Sequence, residues 1–252
     1  LITGFIDSTQ VIELKQELIG KFCKNACLGA GVLIEKGTFV DCSCVKELTY
    51  RIRMYGANIP KKHWDFTFRN LLKNFSGEND IALKLIKKYC EKINDMSQEG
   101  IGLFIQGASG LAKSALGCYV LKEALKSDVE CYFIRMSHLT KLLMESLSDP
   151  IKKDQVEYIR KKVKLLLIDE IEKDFKIDDL SRFSSIQVNE FFGDIYDQHK
   201  ALIVTSNITK DKLKTIHASN VVDRMEELID VILIGSSFRG QSDALERLLN
   251  VS

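Results

Sequence analysis

An α/β fold with an open parallel sheet, preceded by a small cysteine-rich module, is predicted by three features of the sequence. The first is Ile101 to Ile105, an apolar run read as a buried strand, followed by a glycine-bearing loop and a helix with Leu116, Val120, Leu121 and Leu125 at helical spacing. The second is Val163 to Ile168, a buried strand that ends abruptly in the carboxylates Asp169 and Glu170. The third is the recurrence of strand-like runs between helix-like segments, at Cys131 to Ile134, Ala201 to Val204 and Asp230 to Ile234.

Composition bounds the reading. A chain of 252 residues, 45% hydrophobic and 28% charged, has room for one large α/β domain plus a smaller appendage, at roughly 100–200 residues per domain. That composition excludes a disordered chain. Lys and Arg number 36 against 35 Asp and Glu, a net charge of +1, so any nucleic-acid contact must come from a local basic patch. No apolar run reaches about 18 residues and the N-terminus lacks a secretory pattern, so a cytoplasmic protein without membrane insertion is expected. The sequence begins with Leu1 and not Met, so native residues are expected upstream.

The first segment, residues 1–55, combines a helix with a cysteine cluster. Asp7 and Ser8 are candidate N-caps for a helix whose Val11, Leu14, Leu18 and Phe22 form one apolar stripe. Cys23 and Cys27 follow it, and Val32 to Ile34 with Thr38 to Val40 reads as a hairpin returning to Cys42 and Cys44. Four thiolates at the two ends of a hairpin can close a tetrahedral, structural Zn²⁺ site, which would offset the small core of so short a segment. Four free thiols are the alternative, and a disulfide is disfavoured in a cytosolic chain. Cys90, Cys118 and Cys131 read as ordinary buried thiols.

Val45 to Tyr55 reads as a helix, and residues 56–76 as a linker, in which Pro60 biases Ile59 away from helix. Lys61 to Phe68 mixes basic and aromatic residues, a pattern for base stacking or for a strap over the next domain. The larger domain is expected over residues 77–252. Ser76 or Asn79 is placed to cap a helix through Ile81, Leu85, Ile86 and Tyr89.

The loop Gly107, Ala108, Ser109, Gly110, Leu111, Ala112, Lys113, Ser114 matches the phosphate-loop pattern except at its last glycine, which is Ala112. Such a loop wraps phosphates with backbone N–H groups and aims a helix N-terminus at them. Lys113 adds charge near the β- and γ-phosphates, and Ser114 can hold Mg²⁺. The nucleotide-contacting stretch is expected to run from Gly107 to Ala115. An ordinary strand-to-helix turn is the bland alternative.

In an open parallel sheet the ligand site lies at the carboxyl ends of the strands, so Asp169 and Glu170 are expected beside this loop. There Asp169 can position Mg²⁺ and Glu170 can polarise an attacking water. Thr205-Ser206-Asn207 ends the next strand, where a polar residue can contact a γ-phosphate or cap the following helix. Arg224 and Arg239 lie near strand ends, suited to charge on a transferring phosphoryl group or to surface ion pairs. Lys152, Lys153, Lys161 and Lys162, with Lys141 and Lys164, form a candidate basic patch or a solvated helix face.

Taken in order, the cysteine cluster, Ala57-Asn58-Ile59-Pro60, the phosphate loop, Leu166-Leu167-Ile168-Asp169-Glu170, Thr205-Ser206-Asn207, Val222-Asp223-Arg224-Met225 and Ser237-Phe238-Arg239 resemble the bacterial replicative helicase loaders of the DnaC/DnaI type. These are AAA+ ATPases, related to the IstB-type transposition helpers. The resemblance spans about Cys23 to Arg239. It implies a five-stranded parallel sheet flanked by helices, ATP and Mg²⁺ as ligands, and head-to-tail self-association that completes each ATP site. By position it implies that Asn207 is the sensor beside the γ-phosphate, Arg224 a finger reaching the neighbouring subunit, and Arg239 a second sensor. It also implies that Ile59 and Phe66 lie near adenine. The implied partners are a hexameric replicative helicase, gripped by the zinc-bearing region, and single-stranded DNA. A transposition helper and a non-catalytic nucleotide-sensing adaptor are the rival readings; Ala112 favours the adaptor.

Overall fold

Apolar runs without alternation, such as Leu165–Asp169 and Ala201–Ser206, suit strands covered on both faces. Both are buried along their whole length in the computed structural model of the chain. The structure describes residues 8–23, 27, 31–70, 77–173, 182–216 and 219–235. The chain divides into two compact units, Leu1–Trp64 and Asp65–Ser252.

In the first unit, helix α1 (Ser8–Phe22) buries Val11, Leu14 and Leu18, three of the four residues of the expected stripe, and packs on α2 (Cys44–Gly56). Asp7, the other candidate cap, lies outside the described residues. Strands β1 (Val32–Glu35) and β2 (Thr38–Asp41) pair antiparallel, with Glu35 opposite Thr38. Lys36 and Gly37 both have positive φ, 50° and 80°. Two successive left-handed residues make the turn whose twist matches a tight hairpin. The unit closes on Trp64, whose Nε1 donates to the Ile59 carbonyl at 2.8 Å under the Arg51 guanidinium, 5.8 Å from the ring centre.

The second unit begins with a strap. The Phe68 ring lies 5.2 Å from that of Tyr119, and the Phe66 carbonyl accepts from Lys122 Nζ. Burial lowers the Lys122 pKa to about 8. Helices α3 (Asp80–Glu91) and α4 (Ile93–Gln98) follow. Asn79 occupies the N-cap position of α3, but its side chain bonds the Ile234 backbone through both ends, donating to the carbonyl at 2.8 Å and accepting from the N–H at 2.9 Å. It tethers the last strand instead of capping.

The sheet comprises β3 (Leu103–Gly107), β4 (Cys131–Arg135), β5 (Leu165–Asp169), β6 (Ala201–Ser206) and β7 (Ile229–Leu233). Its order is β4-β5-β6-β3-β7, and every pairing is parallel. The expected five-stranded parallel sheet is therefore observed. The crossovers carry α5 (Lys113–Lys126), α6 (Met136–Glu145), α7 (Pro150–Lys161), α8 (Arg182–Asp197), α9 (Lys210–Ile216) and α10 (Ser219–Met225). Asp149 caps α7 by accepting from the Ile151 N–H at 2.8 Å, with Pro150 at the first helical position. Phe104, Leu139, Ile159, Leu166, Ile168, Phe191 and Val204 are fully buried in the main core. The order matters for function: β6 lies between β3 and β5, so whatever ends β6 sits between the glycine loop and Asp169.

Candidate functional site

Three strand ends meet at the carboxyl edge of the sheet. β3 ends in Gly107, where an added Cβ would lie 2.6 Å from the Leu233 carbonyl oxygen, so only glycine fits beside β7. Gly110 has φ +87°. Ala112, the N-cap residue of α5, has φ +54° and ψ 23°, the left-handed region in which glycine costs least. The residue that departs from the glycine pattern thus adopts the backbone a glycine would supply, and its carbonyl accepts the first helical bond, from the Leu116 N–H at 2.9 Å.

Lys113 is buried and its ammonium is turned back onto the loop. It donates to the Gly107 carbonyl at 2.7 Å, to the Ala108 carbonyl at 2.8 Å and to Asn207 Oδ1 at 2.8 Å. Neighbouring Ser114 donates to Asp169 Oδ1 at 2.7 Å, and Thr205 bonds the same oxygen at 2.6 Å. The side chains expected to handle a metal, Ser114 and Asp169, are therefore in direct contact. A hydroxyl and a carboxylate at this spacing are hard oxygen donors of the kind Mg²⁺ takes, with water completing its shell.

Glu170 follows with φ +57°, an uncommon conformation for a glutamate. Its N–H donates to Thr205 Oγ1 at 3.0 Å, and the next N–H, of Ile171, donates to the Thr205 carbonyl at 3.1 Å. Thr205 thus clamps the turn that carries the carboxylates. Glu170 is half-buried and its Oε1 lies 2.9 Å from Lys173 Nζ. Asn207 also donates from Nδ2 to Glu172 Oε1, so it links Lys113 to a third carboxylate.

Arg224 lies elsewhere. Its guanidinium covers the Tyr196 ring at 4.8 Å, and Tyr196 donates to Glu227 at 2.9 Å. With Tyr196, Gly100, Ile101, Leu202 and Leu228 it lines a cavity of about 170 Å³. Those neighbours precede or begin β3, β6 and β7, so the cavity opens at the amino edge of the sheet, opposite the loop. Lys200 lines the same cavity; burial lowers its pKa to about 8, and its Nζ donates to the Val163 carbonyl at 2.6 Å.

No family model and no curated protein matches the sequence. Solved structures do match. The DnaC helicase loader aligns with a TM-score of 0.56 at 20% identity over 69% of this chain and 100% of its own. DnaI aligns at 0.55 and 18% identity over 67% of this chain and 95% of its own. The replication initiator DnaA bound to AMPPCP and single-stranded DNA aligns at 0.53 and 23% identity over 65% of this chain. The chain spans about half the length of that initiator structure and of other initiation-factor structures it matches. The chain shares the fold of these structures.

The larger unit brings together Gly107 to Ala115, Asp169, Glu170 and Asn207 at one edge of its sheet and sets Arg224 at the other. Arg239 lies outside the described residues. Phe66 meets α5 at Lys122, two turns beyond the loop, while Ile59 is buried within the first unit. Lys153, Lys161 and Lys162 are exposed on or just after α7, where Lys161 pairs with Glu157 at 2.5 Å. No helix among the described residues is long and apolar enough to cross a membrane.

In the first unit the sulfurs of Cys23, Cys27, Cys42 and Cys44 all lie within 4.8 Å of one another, with Cys23 to Cys27 at 3.0 Å and Cys27 to Cys44 at 3.5 Å. A tetrahedron of thiolates at a Zn–S distance of about 2.3 Å has sulfurs about 3.8 Å apart, so the cluster fits a four-sulfur metal site. Burial and then hydrogen bonding to Cys42, Cys27 and Cys23 push the Cys44 thiol pKa well up. A metal must displace that proton to bind.

Glu172, and the role of Thr205, escape the sequence reading. Thr205 reads only as part of the polar strand end Thr205-Ser206-Asn207 until the pairing of β5 with β6 sets it beside Asp169. Glu172 carries one signal, its place two residues after Glu170 in a run of acidic residues.

Proposed function

We propose that this chain is an ATP-dependent loader that places a hexameric replicative helicase on single-stranded DNA. The observation that carries the reading is the junction of three strand ends, where Lys113 meets Asn207 and Ser114 meets Asp169. A triphosphate entering the loop competes for the Lys113 ammonium with two neutral carbonyls and an amide. A phosphate is the stronger acceptor. Lys113 then holds the β- and γ-phosphates, and the N-terminus of α5 faces them.

Ser114 and Asp169 are the residues to hold Mg²⁺, which when bound supplies charge neutralisation on the phosphate oxygens. Glu170, released from Lys173, orients and polarises the attacking water. Asn207 offers an N–H to the γ-phosphate. Arg224 acts in a neighbouring copy: its place at the amino edge suits a head-to-tail assembly in which one subunit's edge faces the next subunit's loop. Arg239 is assigned the second-sensor role, and Ile59 and Phe66 the adenine contact, by resemblance alone.

The cysteine cluster is read as a structural Zn²⁺ site in the region that grips the helicase, and the exposed lysines of α7 as the contact to single-stranded DNA. The likeness to a DnaA bound to AMPPCP and single-stranded DNA supports a nucleotide and DNA as ligands, and the likeness to DnaC and DnaI supports the loader role. The left-handed backbone at Ala112 favours a competent loop over a vestigial one. Replacing Lys113 by Ala tests the nucleotide site: ATP binding should disappear while the fold persists, and unchanged affinity refutes the assignment.

A further inference from the structure

Glu172 has no part in the roles above, yet it sits where a role is needed. Its Oε1 accepts from Asn207 Nδ2, and its Oε2 is buried with no hydrogen-bond partner among the described residues. Carboxylate oxygens are seldom left in that state in folded proteins. The segment that carries it is fixed: the Ile171 N–H is bonded to the Thr205 carbonyl, which anchors the turn after β5 to the strand that ends at Asn207.

We propose that Glu172 is a positioning residue that sets the orientation of the Asn207 amide. The two ends of an amide have nearly the same shape and opposite polarity. To read a γ-phosphate, Asn207 must present N–H and not C=O. Lys113 on Oδ1 favours the correct orientation, but Lys113 is the group that an incoming triphosphate draws away. From then on Glu172 is the partner, among the described residues, that distinguishes the two orientations, because a carboxylate accepts and cannot donate. One hydrogen of Nδ2 stays on Glu172 and the other is free for the phosphate or the attacking water. The unpartnered Oε2 gives the amide a second acceptor as it turns toward the nucleotide.

The inference rests on Asn207 being the γ-phosphate sensor, so the experiment separates the two. ADP affinity and ATP turnover are measured for the wild type, Asn207→Ala, Glu172→Ala, Glu172→Gln and the double variant Glu172→Ala/Asn207→Ala. Unchanged ADP affinity certifies an intact site. Glu172→Ala and Glu172→Gln should each lower kcat about tenfold, the worth of one hydrogen bond to a charged group. Gln keeps the shape but can pair with either end of the amide, so a packing role would survive it. In the Asn207→Ala background the second change should cost nothing further. If Asn207→Ala turns over normally, the sensor reading fails and this inference with it. Normal turnover in both Glu172 variants, beside a slow Asn207→Ala, overturns the inference alone, as does a double variant whose losses multiply.

Discussion

Replacing Ala112 by Gly tests whether the departure from the glycine pattern acts through the backbone or through the methyl group. Ala112 is held at φ +54°, ψ 23°. A left-handed conformation costs an L-residue about 1–2 kcal/mol, which glycine escapes. Glycine in turn loosens the unfolded chain, which offsets about 0.4–1 kcal/mol of that gain. The net expectation is a stabilisation of about 0.5–1 kcal/mol, a rise of roughly 1–4 °C in Tm for a domain of this size. Ala112→Val is the opposing arm: a β-branched residue is poorly tolerated at positive φ and should lose about 2 kcal/mol or more. Thermal unfolding of the three proteins, with ADP titrations alongside, reads both quantities. ADP affinity should be unchanged in Ala112→Gly, because the alanine already supplies the glycine-like backbone. A fall in stability of about 1 kcal/mol, as for an ordinary Ala→Gly change in a helix, refutes the conformational argument. A gain in affinity of about tenfold shows instead that the methyl obstructs the phosphates.

Glu170→Gln should keep ATP affinity and lose turnover by about 10²–10⁴-fold in a phosphate-release assay. Arg224→Ala should leave nucleotide binding intact yet lower turnover at high protein concentration, and equal activity across concentrations counts against action in a neighbour. Metal chelation, or Cys42→Ser, should unfold the first unit, as read by faster proteolysis within residues 1–64, and an unchanged cleavage pattern counts against a structural metal. Lys122, whose pKa burial lowers to about 8, carries an unfavourable charge below that pH. Between about pH 8 and the ordinary lysine pKa near 10.4 the unfolded chain binds more protons, so this group's contribution to stability rises with pH. Lys122→Met removes it, so the stability of the variant relative to the wild type should fall across that window in denaturant titrations; a constant difference contradicts the shift.

Much of the site is legible because its chemistry is local. A loop of two glycines and a lysine between a strand and a helix, and a buried strand ending in Asp169 and Glu170, declare themselves by periodicity and by the unusual place of the charges. The remainder depends on which strands become neighbours. Thr205 and Glu172 acquire their partners because β6 inserts between β3 and β5, an order that no local pattern encodes. Asn79 shows the same limit from the other side: its place before α3 suggests a cap, but β7 offers it two backbone partners in place of one helical N–H. Arg224 is readable as a candidate by its position near the start of the last strand, whereas its placement opposite the loop follows only from the sheet.

If this protein is a loader, ATP should couple it to a replicative helicase. Size-exclusion chromatography with light scattering, on the chain mixed with its host's replicative helicase, tests it with ATP present and absent and with Lys113→Ala in parallel. A complex that co-elutes with ATP, and changes in stability or stoichiometry without it or with Lys113→Ala, is the expected result. Separate elution under every condition, with zinc bound and ATP binding verified, contradicts the loader function.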